Sequence, residues 1–184
     1  MQILVEVTGG ITEYVEQKLY LQIRAPSRCP NCGSYNCLGL LGYYARWCTD
    51  LMGTPMAIKV RRFMCSQCPG TVSCLPHFAQ PYRLINNGTV EKFVAGDTRA
   101  PDVQHLLDLL QRYWRKFERW TGLLRETVGS TFGRVPRKDT AAGLWQRVIT
   151  RCGSLAKATM QLTRKFRITC WGKYHCHQPA MQTV

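Results

Sequence analysis

Residues 28–34 read R-C-P-N-C-G-S and residues 61–70 read R-R-F-M-C-S-Q-C-P-G, so the chain carries two C-x-x-C pairs. Cys29 pairs with Cys32, Cys65 pairs with Cys68, and 32 residues separate the two pairs. A C-x-x-C turn lets both thiolates reach one ion, and four thiolates complete a tetrahedral Zn²⁺ shell with no open position for water or substrate. The spacing therefore predicts one structural Zn²⁺ held by these four cysteines.

The insert between the pairs predicts a β-hairpin. It is longer than the roughly 15–20 residues that usually separate paired zinc knuckles. Residues 38–47 and 56–64 are rich in β-branched or aromatic side chains, which is typical of strands, and residues 50–55 contain Gly53 and Pro55, which favour a turn. We therefore predict an α+β fold, in which a small antiparallel zinc ribbon precedes a helical remainder.

The second predicted strand places basic residues beside aromatic ones. Lys59 and Arg61 alternate with Ile58 and Val60, so they share one face, and Arg62 follows. Basic residues next to aromatic rings suit a nucleic-acid surface. The alternative is an ordinary solvated face, with the nearby aromatic residues building a small core.

The other cysteines are expected to be structural. The chain has ten cysteines, and Cys37, Cys48 and Cys74 have no partner at knuckle spacing, so each is predicted to be a small buried hydrophobe. Cys37 remains an alternative ligand if the pairing differs. The tail contains four residues of types that bind metals, but their spacing matches no metal-binding motif: Cys170, His175, Cys176 and His177. We therefore predict a frayed terminus there rather than a second metal site.

The first residues, Met1 to Glu6, lack the basic and apolar regions of a signal peptide. No run approaches the roughly 18 apolar residues of a membrane span. The lack of a signal peptide and of a membrane span, together with cysteine pairs suited to metal binding, predicts a cytoplasmic, nucleoid-associated protein that does not enter membranes.

The remainder of the chain reads as helices. A short helix is expected from residues 86–89 to Val94, ended by Gly96, and a long amphipathic helix from Pro101, which suits a first turn. A linker is predicted over residues 129–137, followed by helices capped at Asp139 or Thr140 and at Ser154. The predicted units are residues 1–83 with the ribbon, 84–135 with helix-turn-helix character, and 136–184 as a basic helical region.

The charge predicts a polyanionic partner. The formal net charge is +14, from 25 Lys and Arg against 11 Asp and Glu, and binding to phosphates is favoured by counterion release. Double-stranded DNA is the predicted partner, because a short helix, a turn and a longer basic helix suit helix-turn-helix geometry. An αα-hairpin with a solvated basic side is the alternative. The predicted contacts are Lys59, Arg61, Arg62, Arg112, Arg115, Lys116, Arg119, Arg164, Lys165 and Arg167.

A family resemblance rests on three motifs, C-P-N-C-G-S at 29–34, V-R-R-F-M-C-S-Q-C at 60–68 and T-V-S-C-L-P-H-F-A-Q-P-Y-R at 71–83. Together they resemble a bacterial family of small proteins related to the zinc-binding N-terminal domains of transposases. Family members often carry an aromatic residue where this chain has Val72, a change that leaves the predicted zinc site unaffected. The resemblance implies DNA association within a mobile genetic element, with a transposase or recombinase as a candidate partner.

Three functions follow from these patterns. The preferred one is a non-catalytic DNA-binding accessory or regulatory protein of a mobile element. The others are a protein-interaction adaptor in a larger nucleoprotein complex and an RNA-binding zinc-ribbon protein. Catalysis is disfavoured, because the acids after the ribbon fall mostly on amphipathic helices rather than in the clustered arrangement of a two-metal enzyme.

Overall fold

The computed structural model describes residues 1–132 and 139–173. Within them the fold is α+β, with a four-stranded sheet, a two-stranded hairpin and six α-helices. The strands are β1 (Gln2–Val5), β2 (Leu38–Thr49), β3 (Pro55–Cys65), β4 (Thr71–Pro76), β5 (Ile168–Thr169) and β6 (Gly172–Lys173). The helices are α1 (Ile11–Glu16), α2 (Asn87–Val94), α3 (Pro101–His105), α4 (Leu107–Phe132), α5 (Ala141–Cys152) and α6 (Leu155–Phe166), with a 3-10 turn at Leu19–Leu21.

The predicted hairpin is present as β2 and β3, which pair antiparallel from Leu38 opposite Cys65 to Thr49 opposite Pro55. The sheet is larger than predicted and is not purely antiparallel. Its order is β1-β4-β3-β2: β4 is antiparallel to β3, whereas β1 pairs parallel to β4. The pairing of β1 buries Leu4 against the sheet, and local sequence patterns carry no information about a strand partner about 70 residues away.

The first helix, α1, begins at Ile11, and Gly10 is its capping position. The carboxylate of Glu13 accepts a hydrogen bond from the backbone N–H of Gly10 at 2.9 Å. The Glu13 carboxylate, in the first turn of the helix, thus satisfies a backbone N–H group at the helix start.

Three helix starts in the second half lie at predicted capping residues, but the single long helix predicted from Pro101 is two helices, because α3 ends at His105 and α4 begins at Leu107. Asn86 accepts from the N–H of Gly88 at 2.8 Å to start α2, Thr140 caps α5 and Ser154 caps α6. The predicted linker from Gly129 is wrong at its beginning, because α4 continues to Phe132. Leu124 and Val128 of that helix are buried in the core, and their packing outweighs the helix-weakening effect of Gly129.

Two apolar clusters form the core. One lies around the sheet and contains Tyr14, Val60 and Leu75; the other lies among the helices and contains Leu110 and Trp145. Helix α6 belongs to both: Ala156 packs into the sheet cluster, while Leu155, Ala158 and Leu162 pack into the helical one. The sheet and the helices therefore pack against each other through α6.

A buried carboxylate fixes α3 against α2. Asp102 is fully buried and accepts hydrogen bonds from the Thr89 hydroxyl at 2.6 Å and from the Lys92 ammonium at 3.1 Å. Lys92 remains partly exposed. Because removing one member of a buried pair leaves the other uncompensated, this triad is a strong constraint on the helix entrance at Pro101.

Replacing Asp102 with Ala is expected to lower the free energy of unfolding by about 2–3 kcal/mol, below the roughly 3–5 kcal/mol of fully buried pairs because Lys92 reaches solvent. Urea denaturation followed by circular dichroism measures the change. Asp97→Ala is the matched control, since Asp97 is exposed and its loss should cost no more than about 0.5 kcal/mol. Equal losses of stability in the two variants would contradict the stabilising role of the buried Asp102 contacts.

Candidate metal centre

Four cysteine sulfurs converge at the base of the β2–β3 hairpin. The Sγ atoms of Cys29, Cys32, Cys65 and Cys68 all lie within 4.8 Å of one another, an arrangement that could hold a metal ion. Cys29 Sγ is 3.9 Å from Cys68 Sγ, and Cys32 Sγ is 3.7 Å from Cys65 Sγ. The four cysteines singled out by their sequence spacing thus meet in space.

The two knuckles have matching local geometry. The N–H of Asn31 points at Cys29 Sγ at 3.4 Å, and the N–H of Gln67 points at Cys65 Sγ at 3.3 Å. Each N–H lies two residues after its sulfur, so both C-x-x-C turns offer a backbone donor to the first thiol. Such donors stabilise negative charge on sulfur, which a metal-bound thiolate carries.

Glycines close both turns. Gly33 adopts φ +80°, a conformation that side chains other than glycine rarely adopt, and its N–H donates to the carbonyl of Cys29 at 2.9 Å. In the second knuckle, a Cβ at Gly70 would lie 2.7 Å from Asn31 Nδ2. That close approach lets the Asn31 amide donate to Cys68 Sγ at 3.4 Å, so the side chain of one knuckle supports a sulfur of the other.

The thiols differ in their electrostatic surroundings. Burial raises the pKa of the Cys29 thiol to about 11 and also raises the pKa of Cys65, because a thiolate loses hydration there. Hydrogen bonds with Ser34, from its side chain first, lower the pKa of the exposed Cys32 thiol to about 6. Buried thiolates beside one another need a cation, so the cluster is suited to bind one.

The remaining cysteines are placed as follows. Cys37, Cys48 and Cys74 are buried, as predicted. Cys37 Sγ lies 3.3 Å from Cys65 Sγ but donates to the Ser34 carbonyl at 3.2 Å, outside the group of four. The frayed terminus predicted from Cys170 is wrong at its beginning, because Cys170 lies between β5 and β6 and is buried in the helical cluster. His175, Cys176 and His177 lie outside the described residues. None of the nine cysteines that the structure describes forms a disulfide.

One of the predicted DNA-contact residues, Arg167, also contacts the first cysteine knuckle. Arg167 follows the last turn of α6 in a left-handed conformation, φ +54°. Its guanidinium donates to the carbonyls of Pro30 at 3.3 Å and Asn31 at 2.9 Å. Arg167 therefore ties the helical half of the molecule to the first knuckle, a contact between residues 136 positions apart in sequence.

Replacing Arg167 with Ala is expected to speed metal release severalfold, because the first knuckle loses two charge-assisted hydrogen bonds. Transfer of the ion to a coloured chelator measures the rate. Arg164→Ala is the control: Arg164 is also basic and exposed, three residues away on α6. Equal release rates for the two variants would show that the Arg167 contact does not support the knuckle.

The predicted basic residues of β3 also make contacts within the protein. Arg61 donates to the carbonyls of Leu21 at 2.6 Å and Ile23 at 2.7 Å. Lys59 is exposed, with its ammonium 5.5 Å from the centre of the Tyr20 ring. The Arg62 guanidinium lies 5.7 Å from the Tyr44 ring and is half-buried. Arg61 thus anchors the segment that leads into the first knuckle.

The predicted basic residues of the helices are more accessible. Arg112, Arg115 and Arg119 of α4 are exposed, as are Arg164 and Lys165 of α6, whereas Lys116 is half-buried. Burial lowers the pKa of Lys116, and the positive charges of Arg83 and Arg119 lower it further. Arg83 was not among the predicted contacts, although it ends the P-Y-R motif that the sequence displayed.

No helix within residues 1–132 and 139–173 is long and apolar enough to cross a membrane. Residues 29–113 match the family model of DUF6431, a domain of unknown function. The match covers both cysteine pairs, the β2–β3 hairpin, β4 and the start of α4. No curated protein and no solved structure gives a significant match.

Proposed function

We propose that this protein is a zinc-stabilised, non-catalytic DNA-binding protein that serves a mobile genetic element. The first part of the proposal is one structural Zn²⁺ on Cys29, Cys32, Cys65 and Cys68. In a tetrahedral site with Zn–S bonds of about 2.3 Å, sulfurs lie about 3.8 Å apart. The Sγ separations of 3.9 and 3.7 Å fit that geometry, and an all-sulfur donor set suits zinc.

The ion would act structurally. Four thiolates leave no open position for a substrate, and the cluster joins the segment before β2, the end of β3 and the turn before β4. In this proposal the β2–β3 hairpin and its two knuckles form a zinc ribbon. The zinc would replace hydrophobic burial in a part of the molecule outside the two main apolar clusters, where a small separate cluster consists of cysteines and Leu38.

The second part of the proposal is duplex DNA as the ligand, and the exposed cations of α4 and α6 carry it. Arg112, Arg115 and Arg119 recur at helical spacing along α4 and are exposed. Arg164 and Lys165 extend from the last turn of α6. Lys and Arg on helix surfaces contact phosphates without reading sequence, and they supply most of the affinity for DNA.

Helix-turn-helix character is part of the same proposal. α2, α3 and α4 follow one another over residues 87–132, with the Asp102 triad fixing α3 against α2. In helix-turn-helix proteins a second helix lies in the major groove, and α4 is the basic helix that would take that role. A transposase or recombinase is the proposed partner, in agreement with the resemblance of the knuckle and P-Y-R motifs.

A non-catalytic role is consistent with how two of the acids are used. Asp102 is bonded to Thr89 and Lys92, and Asp139 pairs with Arg147 at 2.6 Å. Carboxylates that hold catalytic metal ions must be available to the ions, and these two are committed to structural contacts. This use of the two acids supports binding rather than strand cleavage as the proposed role. The proposed location is the nucleoid, where the DNA ligand lies.

The proposal is tested by binding of the zinc-loaded protein to duplex DNA, single-stranded DNA and structured RNA at two salt concentrations. Duplex binding that weakens steeply with salt is the expected result. Tighter binding to structured RNA than to duplex DNA would favour the RNA-binding alternative. Failure to bind any of the three at low salt would refute nucleic-acid binding altogether.

A second candidate, a protein-interaction adaptor, is favoured by the edge of the sheet. β2 is an edge strand, and it exposes large apolar side chains, among them Leu40 (53%) and Trp47 (55%). Exposed edge strands offer unpaired backbone groups to a partner strand. Under this alternative, the protein would bind no nucleic acid and would associate with a partner complex along β2. The substitution Trp47→Lys would weaken that association.

A further inference from the structure

A groove of about 260 Å³ lies where three separate parts of the chain meet. The segment after β4 supplies Tyr82 and Arg83, α4 supplies Lys116 and Trp120, and the β5–β6 hairpin supplies Trp171 and Lys173. The groove is on the helical side of the molecule and shares no lining residue with the cysteine cluster. Its volume is below the roughly 300–1,000 Å³ of pockets for drug-sized ligands, so it suits one small unit of a ligand.

The groove is built for an anion. Three of its lining residues are cations, and no acidic residue is among the described residues that line it. Arg83 is held in place: its guanidinium lies 5.5 Å from the centre of the Tyr113 ring and donates to the Tyr82 carbonyl at 3.0 Å. Like charges brought together without a counter-charge repel one another, so a bound phosphate would relieve the repulsion between Arg83 and Lys116.

The aromatic residues of the groove are fixed by the backbone around them. A Cβ at Gly172 would lie 3.0 Å from the Trp120 indole, and Gly172 has φ +129°. The glycine therefore lets Trp120 pack directly against the hairpin. Tyr82 adopts φ +57°, which is uncommon for a tyrosine, and its N–H donates to Gln2 Oε1 at 2.9 Å. This backbone conformation places a 45% exposed ring at the groove.

Cations and aromatic rings in one narrow groove point to a nucleotide whose base is not stacked in a duplex. Duplex phosphates are contacted by exposed side chains on an open surface, such as those of α4. An unpaired base can leave its neighbours and stack on an aromatic side chain while cations hold its phosphate. The groove offers both contacts within the space of one nucleotide.

We propose that this groove binds one unpaired nucleotide of DNA, with its base against Trp120 and Tyr82 and its phosphate between Arg83, Lys116 and Lys173. The inference rests on the proposed DNA-binding function and narrows it. The exposed arginines of α4 would hold the duplex, and the groove would hold the first unpaired nucleotide beside it. The preferred ligand is therefore a duplex that ends in a single-stranded overhang.

The test compares a blunt duplex with the same duplex carrying a short overhang, in which the fluorescent base 2-aminopurine is the first unpaired nucleotide. The zinc-loaded wild-type protein is expected to bind the overhang duplex about tenfold more tightly, in the range of one stacked base. Binding should also quench the 2-aminopurine emission. The groove variants are Lys116→Ala with Lys173→Ala, and separately Tyr82→Asn, because Asn tolerates the left-handed backbone at that position.

Both groove variants are expected to lose the preference for the overhang and the quenching. The control is Arg112→Ala with Arg115→Ala, which removes two charges from the same helix outside the groove. This control should weaken binding to both DNAs equally and keep the preference. Equal binding of wild type to blunt and overhang DNA would overturn the groove proposal and leave duplex binding standing. Absence of binding to either DNA would overturn both.

Discussion

Replacing Cys68 with Ser is expected to reduce the zinc content of the purified protein from about one equivalent per chain to near zero. A serine hydroxyl is a poor ligand where a thiolate is required, and three thiolates leave the tetrahedral shell incomplete. The binding energy of a structural zinc is also folding energy, about 10–16 kcal/mol in zinc-finger peptides. The cluster joins the segment before β2, the end of β3 and the turn before β4, so the N-terminal half should unfold.

Two measurements follow the effect. Elemental analysis under reducing conditions gives the zinc content, and hydrogen exchange with mass spectrometry shows which segments lose protection. Cys32→Ser should behave like Cys68→Ser. Zinc affinity should also fall as the pH falls, because protons compete for the thiolates and burial has already raised the pKa of Cys29 to about 11.

Cys37→Ser is the matched control for the cysteine variants. Cys37 lies 3.3 Å from Cys65 but belongs to no sulfur pair of the cluster, and a serine can still donate to the Ser34 carbonyl. It should retain one zinc per chain. Wild-type protein without stoichiometric zinc, or loss of zinc in Cys37→Ser but not in Cys68→Ser, would refute the assignment of the four ligands.

Replacing Arg112, Arg115 and Arg119 together with Ala is expected to weaken duplex binding and to flatten its salt dependence. Each phosphate contact contributes roughly 0.9 to the slope of log K against log salt, so the loss of three contacts changes the slope by about 2.7. All three side chains are exposed, and the free energy of unfolding should change by no more than about 0.5 kcal/mol per site. Fluorescence anisotropy across a salt titration measures both quantities.

A second set, Arg164 with Lys165, tests the end of α6 and should change the slope by about 1.8 if both contact phosphates. Arg167 is left intact because it supports the first knuckle. The control removes three exposed arginines elsewhere, Arg24, Arg99 and Arg151, and separates specific contacts from a general loss of charge. If neither basic set changes affinity or slope more than this control, the duplex proposal loses its support and the adaptor alternative is preferred.

The sequence alone determined the features that depend on contacts between residues close together in the chain. Two C-x-x-C pairs identified the four sulfurs that the structure brings within 4.8 Å, because a knuckle fixes its own ligands within a single turn. The candidate caps at residues 86–89, at Asp139 or Thr140 and at Ser154 included the residues that start α2, α5 and α6, since a cap bonds to backbone groups two or three residues away. The hairpin of β2 and β3 was equally visible, because its strands are adjacent in the chain.

Only the tertiary structure decided the features that depend on contacts between residues far apart in the chain. β1 adds a parallel strand beside β4, Arg167 contacts the carbonyls of Pro30 and Asn31, and α6 packs into both apolar clusters. The groove of Arg83, Lys116 and Lys173 draws on three segments of the chain. Burial and hydrogen bonding in three dimensions select these partners, and neither hydrophobic periodicity nor charge along the chain encodes which distant residues will meet.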